Sequence, residues 1–447
     1  MSIAIPGFVN KCITLLQSRG HSAYVVGGCV RDSLLGQTPS DWDICTSALP
    51  GQMQEIFSGI RTVPTGLKHG TLTLVGEGMS VEATTFRRDG LYLDHRRPAS
   101  VDFTSSLDDD LARRDFTINA MAYNPQHGLH DPFGGRCDLA ARVLRCVGDP
   151  LKRFDEDALR ILRLLRFVSQ LDFEPHPQTL SAAGTRSPLL AAISPERITA
   201  EIERLLVGKA AHRALGLAAD SGVLGQIIPE FSPCIGFEQR TKYHDRTVDE
   251  HSFAALAFAE PKLSLRLSLL LHDIGKPRVA TIDAQGQGHY KGHAGAGAKI
   301  AGQVLARLRY PSKTAAHIEK LIAFHGKQLP ADPAFLRRFA GQHGAGFARE
   351  LLALMECDNR AKSELCAPRL DHCRRLQDML EQILAAGHCL TLAGLAVGGD
   401  DLIALGIPPG PQTGQLLRWL LERVWQAPGL NDREVLLGLI KDKIQQT

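Results

Sequence analysis

Apolar and polar residues change their spacing once along this chain. Up to about residue 140, short runs alternate with a period of two or are continuously apolar: SAYVVGG, WDICT, GTLTLVGEGMSVEATTF and SVDFTSS, separated by turn residues, predict β-strands. From about residue 141 such runs nearly vanish. DEDALRILRLLRFVSQL, ERITAEIERLLVG and PGPQTGQLLRWLLERVW repeat their apolar residues at helical spacing instead. The pattern predicts an α+β chain, a small mixed α/β head followed by a long helical remainder, with no fixed-period repeat. The glycine-rich stretch DAQGQGHYKGHAGAGAKI reads as a loop inside the helical part.

Length and composition narrow this further. A chain of 447 residues exceeds one ordinary domain, so two to four units are expected. With 44% hydrophobic and 22% charged residues it is neither disordered nor fibrous. A net charge of +3 neither requires nor excludes nucleic acid, because a balanced chain can still gather its arginines on one face. Ten cysteines include no CxxC pair, and the first residues lack a basic segment followed by a signal-type apolar core. Reduced, buried thiols in a cytoplasmic protein are expected. No apolar run approaches the roughly 20 residues that span a bilayer, so no membrane partner is expected.

The stretch VVGGCVRDSLLGQTPSDWDICTS, residues 25–47, carries the first candidate chemistry. On a strand, Asp41 and Asp43 point to one face while Trp42 packs on the other. Paired carboxylates suit Mg2+, which takes hard oxygen ligands and completes its shell with water and phosphate oxygens. Gly27 and Gly28 lack Cβ atoms and let a triphosphate approach the start of the helix CVRDSLLG, with Arg31 as a further countercharge. A metal pair beside a phosphate cradle suggests nucleotidyl transfer, although an isolated DxD is more often a solvated turn than a metal site.

In order along the first 210 residues, YVVGGCVRDSLLG with SDWDI, EATTFRRDGLYLDHRRP, DLARRDFTINAMAY, DPFGGRCDL, RFDEDALRILRLLRF and SPERITAEIERLL resemble the successive motifs of the tRNA nucleotidyltransferase and poly(A) polymerase family, in the DNA polymerase beta superfamily. The resemblance implies that Asp41 and Asp43 hold two Mg2+ ions. Glu82, on a neighbouring predicted strand, is either a third ligand or a surface glutamate. The resemblance also implies that Arg114 and Asp115 contact the ribose 2′-hydroxyl and nearby phosphates, with Asn119 as a further polar contact; the alternative is a structural ion pair. Asp157 and Arg160, three apart on a helix, share a face and offer acceptor and donors to a base edge. By resemblance they read incoming CTP and ATP, against the plain alternative of an intrahelical ion pair. Arg163 and Arg166 continue that helix, for phosphates or tRNA or as a solvated stripe. The loop FRRDGLYLDHRRP, with Arg88, Asp89 and Arg97, is complete, which argues against addition of C alone.

The second half holds His251, His272, Asp273, His293, His325 and Asp358. This set resembles an HD-domain site, where imidazole and carboxylate ligands take one or two divalent transition metals that can activate water for phosphoester hydrolysis. Finally, LAVGGDDLIALGIPPGPQTGQLLRWLLERV resembles the family's carboxyl-terminal tRNA-binding domain. The expected organisation is a nucleotidyltransferase head at 1–140, an elongated helical part with a nucleotide-selecting and RNA-binding neck at 141–235, an HD domain at 236–365 and a tRNA-binding tail at 366–447. The expected activity is template-free CCA addition to tRNA from CTP and ATP, with no obligatory protein partner. An A-adding enzyme, a poly(A) polymerase and an HD-type phosphohydrolase are the alternatives.

Overall fold

In a computed structural model, residues 3–90 and 101–445 are described, and the chain divides into two compact units, Met1–Pro229 and Glu230–Thr447. The first unit opens with a seven-stranded sheet built from β1 (Ala23–Val26), β2 (Trp42–Thr46), β3 (Arg61–Gly66), β4 (Thr71–Gly76) and β5 (Met79–Thr85), with β8 (Ala122–Asn124) and β9 (Gly128–His130) at the far edge. Its order is β3-β4-β5-β2-β1-β8-β9. Only the central β2–β5 pair is parallel; the others are antiparallel, giving a mixed sheet. Between them, β6 (Arg87–Asp89) and β7 (Val101–Phe103) form a separate two-stranded ribbon.

The strand β2 is central because nearly all of it can be buried: Trp42, Ile44, Cys45 and Thr46 are all inside, and only Asp43 keeps partial access to solvent. Val26, Cys45, Phe86, Leu111, Ala120, Ala122 and Val147 pack into one apolar cluster of the head. The sequence pattern anticipated the strands at 23–26, 42–46, 71–85 and 101–103. It missed β3, β8 and β9, which are short or carry polar and glycine residues that period-two counting does not register.

After the sheet the chain turns helical. Pro150–Glu156 begins behind Asp149, whose carboxylate accepts from the Leu151 amide at 3.0 Å. The chain then leaves helical geometry at Asp157 (φ −137°, ψ 103°), and a second helix runs from Leu159 to Leu171. The Pro195–Leu206 helix packs against it.

The second unit is almost wholly helical. Val248–Leu256, Leu263–Leu271, His293–Arg307, Ser312–Phe324 and Ala345–Arg360 pack together, and Pro411–Gln426 centres a further apolar cluster around Trp425, Leu420 and Val424. The glycine-rich stretch is only partly the loop expected. A two-residue β-ribbon pairs Thr281–Ile282 with Gly288–His289, and from His293 onward the chain is helix. The reason is close packing. A Cβ at Gly275 would lie 2.4 Å from the His293 carbonyl oxygen and 2.5 Å from the Gly297 nitrogen, so glycine here lets two backbones touch. All ten cysteines are free, and all but Cys137 are buried.

Candidate functional site

The first unit contains a cavity of about 970 Å3 lined by nine arginines and four aspartates, a charge balance suited to a polyphosphate that arrives with its cation. Asp41, just before β2, and Asp43, within it, both line the cavity, while Trp42 is buried. Burial pushes the Asp43 carboxyl up to about 6; the Arg114 guanidinium works against this, and the nearby Glu82 and Asp41 charges add to it. Glu82 is the register partner of Asp43 across β2 and β5, but it is exposed. Among the described residues, Asp41, Asp43 and Glu82 do not bring three ligand atoms within 4.8 Å of one another. Two neighbouring carboxylates, one of them half-buried, form the kind of hard-oxygen set whose repulsion a divalent cation relieves.

Gly27 and Gly28 stand opposite. Gly27 sits at φ +81°, a conformation that favours glycine, and a Cβ there would come within 2.9 Å of the movable Arg114 Nη1. Gly28 opens the Gly28–Leu34 helix, whose Arg31 donates from Nη1 to Asn119 Oδ1 at 2.7 Å. Asn119 Nδ2 donates to Asp115 Oδ1 at 3.2 Å, and Arg163 Nε donates to Asp115 Oδ2 at 2.7 Å. The expected residues Arg31, Asn119, Asp115 and Arg163 thus form one continuous network along the cavity wall. Burial alone would raise the Asp115 pKa, but Arg163, with Arg160 beyond it, holds that carboxyl well below the ordinary range.

Several alternatives and expectations are settled by the geometry. The ion-pair alternative for Arg114 and Asp115 does not hold between the two: Arg114 pairs with buried Asp110 at 3.3 Å, and Asp115 with Arg163 at 2.5 Å. Nor do Asp157 and Arg160 share a helix face. Asp157 lies in the break before the helix, where its Oδ1 accepts from the Leu159 amide at 3.1 Å and its Oδ2 pairs with Arg197 at 3.3 Å. Meanwhile Arg160 is buried and donates to the Arg153 carbonyl, the Arg113 carbonyl and Glu156. Spacing alone could not foresee a helix start displaced past Asp157. Lastly, Arg166 is no solvated stripe. It forms a buried pair with Glu201 at 3.0 Å, and burial pulls its pKa down to about 10.

Arg88 pairs with Asp109 at 2.6 Å, and Asp89 belongs to β6. Arg97, with the rest of 91–100, lies outside the described residues.

The second unit brings its six candidates together. His251 Nε2 lies 2.9 Å from Asp358 Oδ1 and 3.3 Å from His272 Nε2, and His272 Nε2 lies 3.1 Å from Asp273 Oδ2. On the other side, Asp273 Oδ1 faces His293 Nε2 at 3.5 Å and His325 Nε2 at 3.7 Å. Ligand atoms of His251, His272 and Asp273 all fall within 4.8 Å of one another, as do those of Asp273, His293 and His325, so Asp273 joins two clusters. Each histidine donates Nδ1–H to a backbone carbonyl: Leu269, Tyr290 and Ile322 at 2.6–2.8 Å for His272, His293 and His325, and Ala361 at 3.4 Å for His251. Those bonds turn every Nε2 toward the centre, the arrangement metal-binding histidines need. Burial opposes protonation of His272, yet Asp273 and Asp358 outweigh it and raise its pKa to about 9. Lys276 and Lys362 pair with the same carboxylates at 2.6 and 2.5 Å. The sequence reading missed both, although each follows its aspartate at helical spacing, i+3 and i+4.

Three stretches of the chain match family models: the Poly A polymerase head domain over residues 23–145, the probable RNA and SrmB-binding site of polymerase A over 172–235, and the HD domain over 248–363. The CCA-adding enzyme of Geobacillus stearothermophilus is 51% identical over 211 residues, 47% of this chain and 52% of that protein, so the chain matches about half the length of that relative. The CCA-adding enzyme of Levilactobacillus brevis is 33% identical over 430 residues, 96% of this chain and 95% of that protein. The chain belongs to the CCA-adding enzyme family. A crystal structure of the Bacillus stearothermophilus CCA-adding enzyme in complex with CTP is 30% identical and covers 99% of both chains with a TM-score of 0.74. The fold is shared more distantly with a Thermotoga maritima CCA-adding enzyme, 21% identical with a TM-score of 0.62 over 99% of this chain and 97% of that one. Within this CCA-adding family member the sequence reading missed Asp110, Arg197 and Glu201 as partners of cavity residues; the i, i+4 spacing of Arg197 and Glu201 was the available signal. Among the described residues no helix is long and apolar enough to cross a membrane.

Proposed function

We propose that the chain builds the 3′ CCA end of tRNA from CTP and ATP without a nucleic-acid template. The observation that carries this reading is the one cavity holding the Asp41 and Asp43 carboxylates, an arginine-rich wall and the Asp157 group together. In this reading the primer 3′-hydroxyl attacks the nucleotide α-phosphorus and pyrophosphate leaves. Members of such a nucleotidyltransferase family depend on a divalent metal, and Asp41 and Asp43 would hold it as two Mg2+ ions. Bound there, Mg2+ lowers the pKa of a hydroxyl and neutralises leaving phosphate charge.

The chain's own groups supply the rest. Gly27 and Gly28 leave room for the triphosphate, and Arg31 and Arg114 offer it countercharge. Asp115, kept ionised by Arg163, and Asn119 offer an acceptor and a donor to a ribose hydroxyl. Cytosine and adenine both carry an exocyclic amine, where uracil and guanine carry a carbonyl. A fixed acceptor at Asp157 therefore favours the two bases of CCA, with Arg160 beside it as the donor side of the pair. The working division is a head at 1–140, a selecting neck at 141–235, an HD domain at 236–365 and a tRNA-binding tail at 366–447, acting in the cytoplasm without an obligatory protein partner. The test is CTP incorporation into a tRNA transcript by Asp41→Ala and Asp43→Ala variants. The reading expects both to lose activity while still binding tRNA.

A second reading is favoured by the five clustered ligands of the other unit, with Asp358 2.9 Å from His251: hydrolysis of a phosphoester at a site taking one or two divalent transition metals. The nitrogen and carboxylate donors, with each Nδ1 tied to a carbonyl, fit such ions. His272→Ala should abolish metal-dependent hydrolysis of a chromogenic phosphodiester and leave CCA addition intact.

A further inference from the structure

We propose that Arg197 is a positioning residue for base selection, aiming the Asp157 carboxylate from the Pro195–Leu206 helix. The inference rests on the CTP and ATP reading above and deepens it. Of the two base-reading candidates, Arg160 donates to the Arg153 and Arg113 carbonyls and to Glu156, acceptors that lie outside the Pro195–Leu206 helix. Asp157 is different. It lies in the break between two helices, and beyond its contact with the Leu159 amide the side chain fixing its carboxylate is Arg197, 3.3 Å away.

The Pro195–Leu206 helix is itself fastened. Four residues after Arg197, Glu201 pairs with Arg166 of the Leu159–Leu171 helix, and both members of that pair are 7% exposed. Arg197 and Glu201 share a helix face and meet partners of opposite polarity, so only one rotation and register of the helix satisfies both pairs. The same helix falls within residues 172–235, which match the RNA-binding family model. A shift of this helix would therefore act on Asp157 directly, through the Arg197 contact. Arg197 also carries a buried Nη1 that has no hydrogen-bond partner among the described residues, and Arg197 and Asp157 line the same cavity. A buried donor left in that state is stabilised when a ligand acceptor reaches it.

The experiment uses the full chain with Arg197→Met, Arg197→Lys, Asp157→Asn and the double variant Asp157→Asn/Arg197→Met. Steady-state kinetics are measured for CTP on a transcript ending at the discriminator base and for ATP on one ending in CC, with UTP and GTP as wrong nucleotides. CTP affinity in the absence of tRNA is measured by calorimetry. The expected result for Arg197→Met is a rise of about tenfold in nucleotide KM and Kd, a comparable loss of discrimination against UTP, and little change in kcat or in the KM for tRNA. Arg197→Lys should recover most of the loss. In the Asp157→Asn background the Arg197 change should add less than about twofold, because the carboxylate charge that pairs with Arg197 is already removed. Fully additive losses would overturn the proposal, as would unchanged nucleotide affinity or a loss confined to tRNA binding. A wild-type chain that incorporates neither CTP nor ATP would instead overturn the functional reading itself.

Discussion

Replacing Asp43 by asparagine should stabilise the fold while destroying catalysis. The carboxyl is driven from an ordinary 3.8 to about 6, chiefly by burial and then by the charges of Glu82 and Asp41, against the opposing pull of Arg114. At about 1.4 kcal/mol per pKa unit, that shift corresponds to an upper bound of about 3 kcal/mol of strain in the ionised state; residual solvent access reduces it to about 1–2 kcal/mol. The sign follows from linkage. The folded pKa is the raised one, so the group's stability contribution is fully present below 3.8 and is lost as pH rises through about 6. Asparagine cannot ionise and escapes that loss. Thermal unfolding of the full chain in chelator at pH 7.5 should therefore show Asp43→Asn melting higher, by about 2–4 °C per kcal/mol, with the difference shrinking toward pH 4. Mg2+ should raise the wild-type melting temperature and leave the variant nearly unmoved. An asparagine variant that melts lower at pH 7.5, or by the same margin at both pH values, would refute the electrostatic argument.

Other expected outcomes follow from single contacts. Arg166→Met should cost about 3–5 kcal/mol in urea unfolding because it strands buried Glu201, whereas Arg166→Met with Glu201→Leu should recover most of that loss. Gly275→Ala forces a Cβ against two backbone atoms that cannot move aside, and a destabilisation of about 1–3 kcal/mol is expected in the same assay. Asp273→Asn, which alters the ligand shared by both histidine clusters, should lower bound transition metal in elemental analysis more than His325→Ala does.

The architecture was legible in the sequence because burial is written in spacing. Near-continuous apolar runs such as WDICT announce a central strand, and the 3.6-residue period announces the helices after it. The acid pair, the glycine step and the HD ligands could be located because their chemistry tolerates few other residue types. What spacing could not show is partner choice. Asp115 finds Arg163 forty-eight residues away rather than its neighbour Arg114, and Asp157 falls in a helix break that no periodicity marks. Gly297 reads as loop because its value, the close backbone approach to Gly275, is a tertiary property.

The most direct test of the central claim is incorporation of labelled CTP and ATP into three tRNA transcripts, ending at the discriminator base, at C and at CC. The account predicts completion to CCA on all three by the wild type and none by Asp43→Ala. Addition of A to the CC transcript alone would contradict it in favour of an A-adding enzyme, and incorporation into none would contradict nucleotidyl transfer altogether.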